Sequence, residues 1–157
     1  MVRWASLVLL TLLACDDLRS FQGDWHGARV GDAEVLRQGV SDTTAVLSID
    51  KVDAHGLEAR LAIAGLLPET LITSLPGAEA DVLAGMTFGG SPLRVYLAFV
   101  AMPDGGGEAF VVVALYDDRR VEVRLMRGGT APLYGIFALT GASPVSPGTA
   151  RERGPRV

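Results

Sequence analysis

The chain has 157 residues, of which 49% are hydrophobic and 20% charged, and its formal net charge is −4. An apolar fraction of this size argues against an intrinsically disordered protein, and the scattered basic residues exclude nucleic acid as an expected partner. One domain is the expectation for this length, and the single cysteine excludes a disulfide framework.

The first fifteen residues have the layout of a secretory leader. Arg3 supplies a positive charge, residues 4–13 are largely apolar, and the small residue Ala14 precedes Cys15. As a helix, the ten-residue apolar run would rise about 15 Å, which is about half of a hydrocarbon core and too short for a permanent transmembrane helix. We therefore expect residues 1–14 to be a cleaved signal peptide.

The motif Leu12-Leu13-Ala14-Cys15 resembles the lipobox of bacterial lipoproteins. The resemblance implies that the Cys15 thiol receives a diacylglyceryl group, that cleavage makes Cys15 the first mature residue, and that the new amine is acylated. Two or three acyl chains, at about 0.8 kcal/mol per buried methylene, would anchor the protein without a spanning segment. No other cofactor is expected. The alternatives are a plain cleaved signal peptide or an N-terminal core segment that ends in cysteine.

Without its leader the chain would carry thirteen basic and eighteen acidic residues, a balance of −5. Asp16 and Asp17, directly after the cysteine, resemble the signal that retains lipoproteins in the inner membrane of enteric bacteria. Because other bacterial groups use other rules, the inner and outer membranes both stay open. We expect an exported protein that is lipid-anchored in the bacterial cell envelope, faces the periplasm, and is tethered through residues 15–20.

Alternating apolar residues predict a mainly β domain over residues 21–140. In chain order the predicted strands are residues 21–27, 43–50, 57–63, 86–89, 93–102, 108–116, 120–127 and 133–140. The connections between the later strands are rich in Gly, Pro and Asp and are too short for parallel crossovers. The prediction is an antiparallel meander of about eight strands that closes into a lipocalin-like barrel or a barrel-like sandwich.

Two segments lack the strand period. Leu67, Leu71 and Leu75 recur every four residues, so we expect a short helical excursion around 66–85 that covers an end or edge of the sheet. Residues 141–157 are rich in Ser, Pro, Gly and Arg and have no apolar period. They are expected to form a disordered tail.

Two of the predicted strands, at 93–102 and 108–116, are apolar on both faces. This pattern indicates that the outside of the sheet is covered or lies near lipid, unless these are ordinary hydrophobic central strands. The strand at 120–127 is different, because Arg120, Glu122 and Arg124 all point to its outer side.

No residue pattern indicates catalysis or metal binding. His26 shares a strand face with Asp24, but a third metal ligand is not evident nearby, and His55 lies in a turn beside Asp53. Outward-facing carboxylates on strands are usually solvated. Those on the predicted strands include Glu58, Glu108 and Glu122. We therefore expect no enzyme, with acid and base groups assembled from distant strands as the alternative.

The motif Gly23-Asp24-Trp25 is similar to the Gly-x-Trp opening of lipocalins and other calycins. The resemblance implies a barrel that encloses a small apolar ligand, with Trp25 closing one barrel end beneath an arginine of a late strand. Candidates for this arginine are Arg120, Arg124 and Arg127, and residues 134–139 would form the closing strand. The alternative is a tryptophan that fills the core of a β-sandwich.

These patterns together predict a membrane-anchored envelope lipoprotein that binds a small apolar ligand inside a β-barrel. Trp25 is the candidate for the barrel end, and the sequence assigns no ligand-contacting residue. The alternative is an envelope protein–protein interaction or structural module with a side-chain-filled β domain. Such a module would dock its partner through a sheet edge or through loops.

Overall fold

The computed structural model describes residues 18–30, 43–77, 86–129 and 132–141. The predicted leader and Cys15 lie outside these residues, as does the predicted tail beyond its first residue.

Eight strands make up most of the described chain. In chain order they are β1 (Gly23–Arg29), β2 (Thr44–Val52), β3 (Leu57–Ile63), β4 (Leu67–Thr73), β5 (Arg94–Ala101), β6 (Glu108–Leu115), β7 (Arg120–Arg127) and β8 (Leu133–Gly141). All pairings are antiparallel, and β8 pairs with β1, so the hydrogen-bonded order is β4-β3-β2-β1-β8-β7-β6-β5. The predicted meander of about eight antiparallel strands is confirmed.

The sheet forms a nearly closed barrel with a seam between its terminal strands, β4 and β5. Just beyond β4, the Leu75 N–H donates to the Leu97 carbonyl of β5 across this seam, at 2.8 Å. We call the end with the β3–β4, β5–β6 and β7–β8 turns the upper end. The opposite end, which holds the β2–β3 and β6–β7 turns and the N-terminal residues from Leu18, is the lower end.

Strand β4 replaces the first half of the helix predicted around 66–85, and that prediction is wrong for Leu67–Thr73. A spacing of four residues keeps Leu67 and Leu71 on one side of a helix. In β4 the two residues face opposite sides, Leu67 buried and Leu71 exposed, because the pairing with β3 shifts its register between Leu61 and Ile63. Three β-branched residues within the segment favour the strand. The rest of the predicted helix, at 78–85, lies outside the described residues.

Residues 86–90, here called the strap, are irregular where the sequence predicted a strand at 86–89. Met86 and Phe88 of the strap pack on the outer face of the second half of the sheet. There they cover a separate apolar cluster of Val95, Leu97, Val112, Ala114 and Tyr116. The strap thus explains why β5 and β6 are apolar on both faces. It covers their outer side, as the sequence pattern led us to expect.

Inward side chains from all eight strands form one packed apolar cluster. The cluster follows from the period-two pattern, because inward residues of β2 and β3 are buried while their outward neighbours are mostly exposed. The largest of its side chains with almost no exposure are Tyr96, Phe137, Leu47, Leu57, Leu61, Ile63, Ile72, Leu115, Leu125 and Leu139. The inside of the barrel is therefore occupied by the protein's own side chains.

Glycines allow β1 and β8 to approach each other closely. A Cβ atom on Gly27 would lie 1.9 Å from the Ala138 carbonyl oxygen. A Cβ atom on Gly141 would lie 3.2 Å from the ring of Trp25, its partner in the sheet register. The glycines of β1 and β8 thus mark a close backbone approach where the meander closes on itself.

Candidate functional site

Trp25 lies in the core toward the lower end of the barrel. Its ring is 2% exposed and stacks on Phe21 with 5.6 Å between the ring centroids, and its Nε1–H donates to the Phe21 carbonyl at 2.8 Å. Leu18, within the range assigned to the tether, belongs to the same cluster. Trp25 is thus held by the N-terminal segment, with an aromatic partner where the lipocalin resemblance implied an arginine.

The three candidate arginines for Trp25 have other partners. Arg120 lies over the Tyr116 ring and Arg124 over the Phe88 ring, at 4.0 and 4.4 Å from the centroids. Arg127 pairs with Asp104. The implied cation–π contact is therefore replaced by contacts on the second half of the sheet.

A groove of about 600 Å³ opens at the upper end of the barrel. One side is formed by the start of β2, the end of β3 and the β3–β4 turn, and the other by the β5–β6 turn. The lining residues are Thr44, Val46, Ala62, Ile63, Ala64, Gly65, Leu66, Leu67, Pro68, Pro103 and Asp104. Most of this surface is apolar, and Asp104 is the one ionisable side chain among the described residues that line it.

An ion pair fixes the β5–β6 side of the groove. The Nη1 and Nη2 groups of Arg127 donate to the two carboxylate oxygens of Asp104, at 2.8 and 3.1 Å. The hydrogen bond to Asp104 raises the pKa of Arg127 above its usual value. A Cβ atom on Gly106 would lie 2.1 Å from Nη1 of Arg127, so a larger residue here would require the Arg127 guanidinium to move. The charge of Asp104 is thus neutralised at the groove wall.

A second cluster of polar side chains lies beneath the strap, on the outer face of β7. Arg124 Nε donates to Glu122 Oε1 at 2.6 Å, and the two side chains are only 6% and 8% exposed. Arg124 Nη2 also donates to the Thr87 carbonyl of the strap at 2.8 Å. Both residues do point outward as predicted, but the strap buries them. Because Glu122 holds the Arg124 guanidinium while Arg124 donates to the strap, we call this ion pair the clamp.

Tyr116 and Arg120 extend this cluster at the lower end. The Tyr116 hydroxyl donates weakly to Glu122 Oε2 at 3.4 Å. Burial, followed by the negative charge of Glu122, raises the pKa of Tyr116 above its usual value. A tyrosine held neutral in this way supports the clamp and is a poor base at neutral pH.

The histidines lie apart from both places. His26 is exposed, and Asp24 on the same face accepts a hydrogen bond from Ser48 at 2.5 Å. In the β2–β3 turn, Asp53 accepts backbone hydrogen bonds from His55 and Gly56, and the first of these is the main reason that its pKa is lowered. These hydrogen bonds stabilise the β2–β3 turn, in which His55 is a turn residue.

The carboxylates singled out in the sequence have separate surroundings. Glu58 on β3 pairs with Lys51 at 3.9 Å, Glu108 on β6 is exposed, and Glu122 on β7 is buried beside Arg124. Within the four described ranges, no group of three or more His, Cys, Asp or Glu side chains could hold a metal ion.

Comparisons with protein-family models, curated proteins and solved structures find no match for this chain. Among the described residues, no helix is long and apolar enough to cross a membrane. The candidate site therefore rests on the geometry of this chain. Sequence patterns missed the groove because turns from distant parts of the chain form it, although the turn signals at Gly65 and Pro103 mark two of its edges.

Proposed function

We propose that this chain is a membrane-anchored lipoprotein of the bacterial cell envelope whose β-barrel is a non-catalytic binding module for a small apolar ligand. In this proposal the lipid is carried by Cys15, and the ligand lies in the groove at the upper end. The protein faces the periplasm from the inner or the outer membrane.

The groove is the observation that carries the ligand proposal. Its volume of about 600 Å³ falls within the range of roughly 300–1,000 Å³ that is usual for small-ligand sites. Its wall is mostly apolar, which favours an apolar ligand. The packed cluster inside the barrel favours the groove over the interior as the place where the ligand binds.

The sequence around Cys15 supports the anchor, and the N-terminal packing supports an orientation. Leu18 is buried in the core only three residues after Cys15. Three residues span at most about 11 Å when extended. A lipid on Cys15 would therefore keep the lower end of the barrel close to the bilayer, and the groove at the upper end would face away from it.

The ligand site can be tested with a hydrophobic fluorophore, 1-anilinonaphthalene-8-sulfonate. Val46 is 46% exposed and lines the groove, whereas Leu71 is 67% exposed on β4 and is not among the lining residues. We expect Val46→Gln to weaken fluorophore binding about tenfold, equivalent to about 1.4 kcal/mol, and Leu71→Gln to leave it unchanged. Equal loss in both variants, or no saturable binding, would reject the groove.

The anchor can be tested by fractionating cells that produce the Cys15→Ser variant. Without a thiol the diacylglyceryl group cannot be attached, so the variant should leave the membrane pellet. If the variant stays in the pellet as firmly as the unsubstituted protein, the lipid is not its anchor.

A second candidate function is an envelope protein–protein interaction or structural module. The filled interior favours it, and so does an exposed aromatic pair on the outer face. Phe99 and Phe110 face each other on β5 and β6, with ring centroids 4.7 Å apart, and both are about two-fifths exposed. Exposed aromatic side chains of this kind are enriched at protein interfaces.

A further inference from the structure

The groove at the upper end presents one charge, and that charge is negative. Asp104 and Thr44 carry the two polar side chains among the described residues that line it, and none of those residues is Lys, Arg or His. In the ion pair at the groove wall, the Asp104 side chain is 21% exposed, whereas the Arg127 side chain is only 5% exposed and is not among the lining residues. A ligand in the groove therefore meets the carboxylate of this pair.

The backbone of the β3–β4 turn has few N–H groups to offer a ligand. The Ala64 N–H donates to the Thr44 carbonyl at 2.9 Å, and the Leu66 N–H donates to the Ile63 carbonyl at 3.0 Å. Two other lining residues are prolines, which have no N–H. A bound anion needs donors or positive charge to offset its loss of hydration. These four lining residues do not provide them.

The direction of the ion pair decides which head group the groove favours. Both Nη groups of Arg127 donate to the Asp104 carboxylate, and the Gly106 N–H donates to its Oδ1 at 2.9 Å. The pair has no net charge, but a charged group in the groove would lie closer to the carboxylate than to the guanidinium. Because Coulomb energy falls with distance, the carboxylate outweighs the guanidinium there. A cation is therefore attracted and an anion repelled.

We propose that the ligand of the groove is a cationic amphiphile, an apolar chain or ring system that ends in a protonated amine. Its apolar part would contact lining residues such as Val46 and Leu66, and its ammonium group would lie beside Asp104, whose carboxylate is held in place by the β5–β6 turn and β7. This inference rests on the proposed ligand-binding function and adds the chemical class of the ligand. Fatty acids and other anionic lipids are disfavoured because they would place like charges together.

The test is displacement of a neutral fluorophore, N-phenyl-1-naphthylamine, from the chain as purified from cells. The competitors are decylammonium, decanol and decanoate, which share a ten-carbon chain and differ only in the head group, each below its micelle concentration at neutral pH. We expect decylammonium to displace the fluorophore at about tenfold lower concentration than decanoate, with decanol between them. Equal displacement by the two ions, or stronger displacement by decanoate, would overturn the proposal.

Two substitutions locate the preference. In Asp104→Asn the nearest charge is that of Arg127, so decanoate should become the stronger competitor. Glu69→Gln removes an exposed carboxylate of β4 that does not line the groove, and the preference for decylammonium should persist. An unchanged preference in Asp104→Asn, or its loss in Glu69→Gln, would also overturn the proposal, because the attraction would then come from the acidic surface as a whole. The comparison in the unsubstituted chain decides the proposal even where Asp104→Asn does not fold.

The proposed function and this inference fail in different ways. If the neutral fluorophore does not bind saturably, or if Val46→Gln and Leu71→Gln weaken its binding equally, the groove is not a ligand site and both are rejected. If it binds and only Val46→Gln weakens the binding, the groove stands. The order of the three decyl compounds then decides the class of the ligand alone.

Discussion

Removing the arginine of the buried clamp should destabilise the barrel far more than removing an exposed arginine. In Arg124→Met the Glu122 carboxylate stays under the strap without its 2.6 Å partner, and the Thr87 carbonyl loses its donor. An uncompensated buried charge costs about 3–5 kcal/mol. Arg60 provides the control, because its 2.9 Å pair with Asp50 is about half exposed on both sides. For exposed pairs the loss is at most about 1 kcal/mol.

The double substitution Arg124→Met with Glu122→Leu tests the cause of this loss. Because it removes both charges, the penalty of the unpaired carboxylate disappears. What remains is the lost contact with Phe88 and the lost hydrogen bond to the strap, together about 2 kcal/mol. The double variant should therefore be more stable than Arg124→Met alone, with a coupling of at least about 1 kcal/mol.

The free energy of unfolding would be measured by urea denaturation at neutral pH for all the variants. Hydrogen exchange at 86–90 would be measured in parallel, because the strap should lose protection in Arg124→Met before the barrel unfolds. Equal losses in Arg124→Met and Arg60→Met, or additive effects of the two clamp substitutions, would refute the reasoning.

Three further predictions concern other parts of the barrel. Gly27→Ala should lower the free energy of unfolding by about 1–3 kcal/mol or more, because the added Cβ would clash with a backbone oxygen. Gly128→Ala, which has open space around it, should lower it by less than about 0.5 kcal/mol. Urea denaturation of the two variants measures the difference. The pKa of Asp53 is lowered from 3.8 in the folded protein. Its carboxylate therefore stabilises the fold above that pH, and this contribution is lost as the pH falls further. Asp53→Asn should lower the melting temperature at neutral pH but not in strong acid. Arg127→Met should weaken fluorophore binding, because it frees the Asp104 wall of the groove; unchanged affinity would show that the wall holds by other contacts.

Strands β2, β3 and β8 could be predicted from the sequence because their inward faces are buried and their outward faces mostly are not. In β3, Leu57, Ala59, Leu61 and Ile63 are all buried, and the period-two pattern is unambiguous. The segment Leu67–Thr73 could not be assigned in this way, because Leu67 faces inward and Leu71 outward in β4, so its leucines do not follow the period of a strand. Its pairing with β3 decides the structure, and that is a tertiary contact.

The two ion pairs, Glu122–Arg124 and Asp104–Arg127, could not be predicted from the sequence for a different reason. The sequence shows that Glu122 and Arg124 point outward, but their burial depends on the strap, which lies more than thirty residues earlier in the chain. The same holds for the groove, where Asp104 meets Arg127 from another strand. Local periodicity reports the face of a residue and carries no information about a distant segment that covers that face.

The mass of the intact protein extracted from bacterial membranes tests the central proposal most directly. We predict a chain that begins at Cys15, lacks residues 1–14 and carries the added mass of a diacylglyceryl group with an acyl chain on the amine. A chain that retains Met1, or one that begins at another residue with Cys15 unmodified, would contradict the proposal of a lipid-anchored barrel.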